Sequence, residues 1–149
     1  MGISNIRTGL VAAIKTMTLD SGYSFDWDAG TVNPPRSDWN AVADAKYPIA
    51  DFFFEDEECE NGEENTQTIT NVLTVMIDVI PKKRGVTAED IDKAIDDFKK
   101  LAGNNHNLSK SCFFWWYERA ERFRNEASFP EYMVRLTFKI RYRQDRKNP

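Results

Sequence analysis

The sequence predicts an α+β domain: one mostly antiparallel sheet of four to five strands packed by two helices, in the order α-β-β-β-α-β-β. Three observations carry that expectation. From Tyr132 to Arg143 every even position is apolar (Tyr132, Val134, Leu136, Phe138, Ile140, Tyr142), while the odd positions carry Met133, Arg135, Thr137, Lys139, Arg141 and Arg143. A period of two sustained over that length is a long strand with one buried and one basic face. Between Thr87 and Gly103, by contrast, the apolar residues fall at helical spacing behind a capping signal. Finally, 149 residues with 41% hydrophobic composition and ten Phe suit a single domain over 1–149, burying about 70% of its unfolded surface.

The elements follow in order. Ile3, Ile6, Leu10, Ala13, Ile14 and Met17 recur at helical spacing, with Ser4 as N-cap and Asp20-Ser21-Gly22 as the stop. Tyr23, Phe25 and Trp27 alternate with Ser24, Asp26 and Asp28, which reads as a short strand. A loop is expected from Ala29 to about Lys46, because Asn33-Pro34-Pro35 forbids helix there. Pro48 opens a second strand, Ile49 to Glu55. The acidic stretch Glu55 to Glu64, with Asn61-Gly62 as a turn signal, joins it to a third strand, Thr68 to Ile80. The second helix has Thr87 as N-cap, Asp90 closing a capping box, and Val86 stapling onto Ile91. Its stripe is Ile91, Ala94, Ile95, Phe98 and Leu101, and Gly103 stops it. The aromatic run Cys112 to Tyr117 reads as a strand for its aromatic density, although Phe113, Trp116, Tyr117 and Ala120 also fit a helical period, and Ser128-Phe129-Pro130 turns it into the last strand.

Net charge is −4, but residues 1–80 hold 4 Lys and Arg against 14 Asp and Glu, a net of −10, while residues 81–149 hold 16 against 10, a net of +6. If the two halves occupy different flanks, each molecule offers an acidic and a basic face, which suits head-to-tail contacts. If they interleave in one sheet, the charges cancel locally.

No apolar run reaches the roughly 18 residues needed to span a bilayer, and no secretory leader is recognisable. The chain is therefore expected to be made in a cytoplasm. Cys59 and Cys112 read as unpaired thiols. His106 is the single histidine and lies in a polar loop. No Gly-rich phosphate cradle, metalloprotease helix or nucleophile elbow occurs. A nucleophile–base pair of Cys112 and His106 is conceivable, but nothing in the sequence orients the imidazole. The chain is read as a non-enzyme that needs no cofactor and no metal.

Two charged groups remain as candidates. Arg135, Lys139, Arg141 and Arg143 form an exposed basic face expected to meet the acidic half of a neighbouring subunit. Alternatively they track a nucleic-acid backbone while Trp115, Trp116 or Tyr117 stack on bases. Glu55, Asp56, Glu57, Glu58, Glu60, Glu63 and Glu64 form the second group. They could coordinate calcium or magnesium, although their spacing does not fit an EF-hand loop, or they are simply solvated. Facing a channel, they would repel DNA phosphate.

The N-terminal amphipathic helix leading into Gly22-Tyr23 and a strand, the second strand opened by Tyr47-Pro48, the acidic hairpin, the long strand, the connecting helix and the closing hairpin follow one another over nearly the whole chain. In that order they resemble the tail terminator family of tailed bacteriophages, also known as minor tail or tail completion proteins. The resemblance implies a small α+β structural protein of the virion tail and neck, assembled in the host cytoplasm. Its partners would be itself in a ring, usually of six subunits, the tail tube protein and a head connector or neck protein. DNA would pass through without specific binding, and no membrane is involved. Another neck or head-completion protein, or a single-stranded nucleic-acid-binding module, is the alternative.

Overall fold

The computed structural model describes residues 2–27, 31–33, 47–60, 68–108, 110, 112–124 and 132–145. In chain order the elements are α1 (Ile3–Lys15), β1 (Thr31–Asn33), β2 (Ile49–Cys59), β3 (Thr68–Ile80), α2 (Ala88–Asn104), β4 (Phe114–Arg124) and β5 (Tyr132–Asp145). β2, β3, β5 and β4 form an antiparallel four-stranded sheet in that spatial order, and three residues of β1 run parallel to the start of β2. The fold is α+β, with an α-β-β-α-β-β core.

β5 lies inside the sheet. It pairs with β3 from Thr68↔Asp145 to Val79↔Val134 and with β4 from Phe114↔Arg141 to Arg124↔Tyr132. Its even residues from Tyr132 to Tyr142 face the helices and are at most 6% exposed. They meet Leu73, Val75, Ile77 and Val79 of β3, Ile6, Leu10 and Ile14 of α1, and Ile91, Ala94, Phe98 and Leu101 of α2 in one core cluster. α2 packs over β4 and β5. α1 lies on the same face toward the β2 edge, where the Arg7 guanidinium sits 4.7 Å from the Phe54 ring centroid. Both helices therefore cover the same face. No described helix is long and apolar enough to cross a membrane.

α2 forms as its sequence dictates. Thr87 Oγ1 accepts from the Asp90 N–H at 3.1 Å while Asp90 accepts from the Thr87 N–H at 3.1 Å, so two donors of the first turn are satisfied reciprocally. Val86 and Ile91 are both buried in the main core. Gly103 does not stop the helix, which continues to Asn104 and is capped by Asn105. α1 differs in the same small way. Its N-cap is Gly2, whose carbonyl takes the Asn5 and Ile6 N–H groups, and Ser4 lies inside the first turn. The helix ends at Lys15 with Thr16 as C-cap.

Residues 23–27 are not a strand. Trp27 is 1% exposed and Tyr23 8% exposed, yet the backbone between them is irregular. The Asp97 carboxylate of α2 takes the Ser24 N–H at 3.0 and 3.1 Å and the Trp27 Nε1–H at 2.9 Å. The Trp27 N–H donates to the Met17 carbonyl, and its ring meets Phe98 edge-on at 5.1 Å. The alternating aromatics thus anchor a connection across the helices. Gly22, at φ +90, makes the turn into it, and its carbonyl accepts from Lys100 Nζ at 3.1 Å. The expected loop from Ala29 to Lys46 contains β1, and its other residues up to Lys46 lie outside the described ones.

β2 runs past Glu55 to Cys59 because β3 offers partners as far as Asn71, after a bulge between Phe54 and Glu57. The aromatic strand begins at Phe114, later than the expected Cys112, and continues to Arg124 with a bulge between Tyr117 and Arg119.

Candidate interaction surface

The second face of the sheet carries no helix among the described residues, and every candidate cation lies on it. Cross-strand register lays this face out in rows. At one end Ile49, Ile80 and Met133 form a small buried cluster with Tyr47 and Phe123 packed against it. The next row is Asp51, Asp78, Arg135 and Glu121, followed by Phe53, Met76, Thr137 and Arg119. Beyond the bulges come Thr74, Lys139 and Trp116, then Glu58, Val72, Arg141 and Phe114.

The four basic residues do not form a bare stripe. Arg135 donates from Nε and Nη2 to the two oxygens of Asp78 at 2.7 and 3.1 Å, and its guanidinium lies 5.3 Å from the Phe53 ring and 5.8 Å from the Phe123 ring. The hydrogen bonds to Asp78 raise its pKa further, against the opposing effect of burial. Lys139 Nζ donates to Thr74 Oγ1 at 2.7 Å and lies 3.9 Å from Glu118. Arg141 pairs with Glu60 at 2.9 Å. Arg143 is exposed, with its guanidinium 5.1 Å from the Phe113 ring. Two of the carboxylates that answer these cations, Asp78 and Glu60, come from the acidic first half. The halves therefore interleave in one sheet and part of the charge is cancelled locally.

The acidic group is spread along a strand. Glu55, Asp56, Glu57, Glu58 and Glu60 are all exposed, and strand alternation divides them between the two faces. Glu57 points to the helix-covered side and accepts from the Tyr142 hydroxyl at 2.7 Å. Burial first, then that bond, raises the Tyr142 pKa. Glu60 belongs to Arg141 on the other side. Glu63 and Glu64 lie outside the described residues. Among the described residues, no three His, Cys, Asp or Glu side chains converge to hold a metal ion.

Cys112 and His106 are close in the fold, but through the wrong atoms. The thiol lies 3.9 Å from the His106 backbone carbonyl, and burial pushes its pKa up to about 12. That arrangement suppresses the thiolate. The carbonyl also receives the Trp115 N–H at 3.0 Å, so the turn serves to fasten the start of β4. At the far end of β3, a cleft of about 300 Å³ is lined by Tyr47, Pro81, Lys82, Lys83 and Arg84. Lys82 reaches from there to Asp90 at 3.2 Å, tying the loop to the α2 cap.

The aromatic run divides by strand parity. Trp115 is 3% exposed and stacks against Phe138 at 4.7 Å on the helix side. Phe114 and Trp116 point the other way, with ring centroids 5.0 Å apart. Phe113 and Phe114 remain 39% and 40% exposed. This exposed aromatic corner, flanked by Lys139 and Arg143, is built from Phe113 and Phe114, which the sequence reading did not single out. A period of two anchored on Trp115 would have separated the outward rings from the inward ones.

The chain matches no family model and no curated relative.

Proposed function

We propose that this chain is a structural subunit of a phage tail: a terminator that closes into a ring, usually of six copies, at the head-proximal end of the tail tube. The ring stops tube growth and presents a surface to the head connector or neck protein, while DNA passes through without specific binding. The observation that carries this reading is the two-sidedness of the domain. Both helices cover one face of the antiparallel sheet, and the other face carries a mixed, partly apolar surface with exposed aromatics and cations. A subunit whose surfaces differ suits a heterologous ring with two unlike sides, one binding the tube and the other offering nothing to a further tube subunit. The element order from helix to closing hairpin supports the same reading, through the resemblance to tail terminators.

Glu55, Asp56 and Glu58 lie along β2, with Glu57 turned to Tyr142 and Glu60 just past the strand on Arg141, and we therefore assign the acidic group to a sheet edge and subunit contact in preference to a channel lining. A second reading rests on the Phe114–Trp116 pair beside Lys139 and Arg141, which is the chemistry of a single-stranded nucleic-acid platform. Sedimentation and negative-stain imaging of the purified protein separate the two. The proposal expects a closed, monodisperse ring that leaves an oligonucleotide unshifted on a gel. A 17.2 kDa monomer that retards the oligonucleotide would favour the second reading.

A further inference from the structure

Resting on the ring reading, we propose that the subunit contact seats the acidic outer edge of β2 on the aromatic and cationic corner that β4 and β5 present on the next copy. The two surfaces lie at opposite edges of one sheet and at the same level, since Glu58, Val72, Arg141 and Phe114 form a single cross-strand row. One molecule cannot bring them together, but a second copy placed beside it can. The result is a head-to-tail contact that leaves each copy with one donor and one acceptor surface.

The chemistry of the two edges is complementary. Glu55, Asp56 and Glu58 are exposed, and of the three Glu55 acts electrostatically on Arg135 of its own chain. Crowded like charges on one strand are relieved by an opposing cation. On the other edge Phe113 and Phe114 are the large exposed apolar side chains of the sheet. Arg143 lies over Phe113, and Lys139 is the cross-strand neighbour of Trp116. Aromatic anchors ringed by cations are the side chains that dominate protein contacts. Both edge strands carry a bulge, between Phe54 and Glu57 in β2 and between Tyr117 and Arg119 in β4. Bulged, charged edges resist extension of the ladder, so the contact is made by side chains and not by a continuous sheet.

The test uses the full chain in two charge-reversed forms: Asp56→Lys with Glu58→Lys, and Lys139→Glu with Arg143→Glu. Each alone places like charges across the contact and should lose association by roughly a hundredfold or more. Mixed one to one, each form meets its complement on both sides, and an even-membered ring should return. Circular dichroism melting checks that both forms fold. Should the second not fold, Phe113→Ser with Arg143→Ser changes only exposed side chains and should weaken the ring likewise. Folded variants that still close on their own, or a mixture that fails to recover, would overturn this contact while leaving a wild-type ring and the terminator reading intact. A wild-type chain that stays monomeric would overturn both. Quenching of wild-type tryptophan fluorescence by oligothymidylate, lost in Arg143→Ser, would assign the corner to nucleic acid instead.

Discussion

Asp97 of α2 fastens the segment that follows α1. It is 4% exposed, and its carboxylate takes both the Ser24 N–H and the Trp27 indole N–H. Truncation would leave the buried Trp27 indole N–H without this acceptor, while the N–H of the exposed Ser24 can turn to water. Asp97→Ala is therefore expected to destabilise the protein by about 1–3 kcal/mol, read from the urea midpoint, with loss of the Trp27 environment in the near-ultraviolet circular dichroism. An unchanged midpoint would mean that the segment is held by Trp27 packing alone. This anchor was not legible in the sequence. The alternation Tyr23, Phe25, Trp27 looks like a strand because period two is a local signal, and the carboxylate that overrides it lies 70 residues further on. Arg135 shows the same limit. Its alternating position placed it on the basic face, but its partner Asp78 depends on β3 lying beside β5.

At the scale of elements, the sequence was most informative where stabilisation is local. The α2 capping box is present as the residues imply. The even residues of β5 from Tyr132 to Tyr142 turn to the core as its alternation implies. Thr87→Ala should cost about 1 kcal/mol, measured by thermal or urea unfolding. The box also titrates. Burial raises the Asp90 carboxyl, but the bonds from Thr87 and Lys82 outweigh it and hold the pKa below the ordinary 3.8. A carboxylate depressed in the folded state adds stability above its unfolded value and loses it as pH falls through the folded one. The contribution should thus be constant above that window and fade below pH 3.8, and Asp90→Asn should remove this part of the acid dependence. The elements that misled are those where charge and neighbours compete. Glu55 to Cys59 carries loop-like composition, yet it is an edge strand because β3 supplies hydrogen-bond partners and edges tolerate charge. The central place of β5 was not legible either, since strand order is set by long-range pairing.

For the molecule as a whole, the split of −10 and +6 between the two halves does not become two opposite flanks. Arg135–Asp78 and Arg141–Glu60 cancel charge across the sheet, and what remains is concentrated at its edges. Acidic side chains line β2, while Phe113, Phe114, Lys139 and Arg143 occupy the opposite corner. On the proposed reading this distribution lets the domain repeat laterally, leaving the two flat sides of a terminator ring free to differ. The most direct measurement of the central claim is the length distribution of tails assembled without this chain, by electron microscopy of the particles. The account predicts tails that overrun their normal length or fail to join heads, with normal length restored when the chain is supplied. Tails of wild-type length that join heads normally in its absence would contradict it.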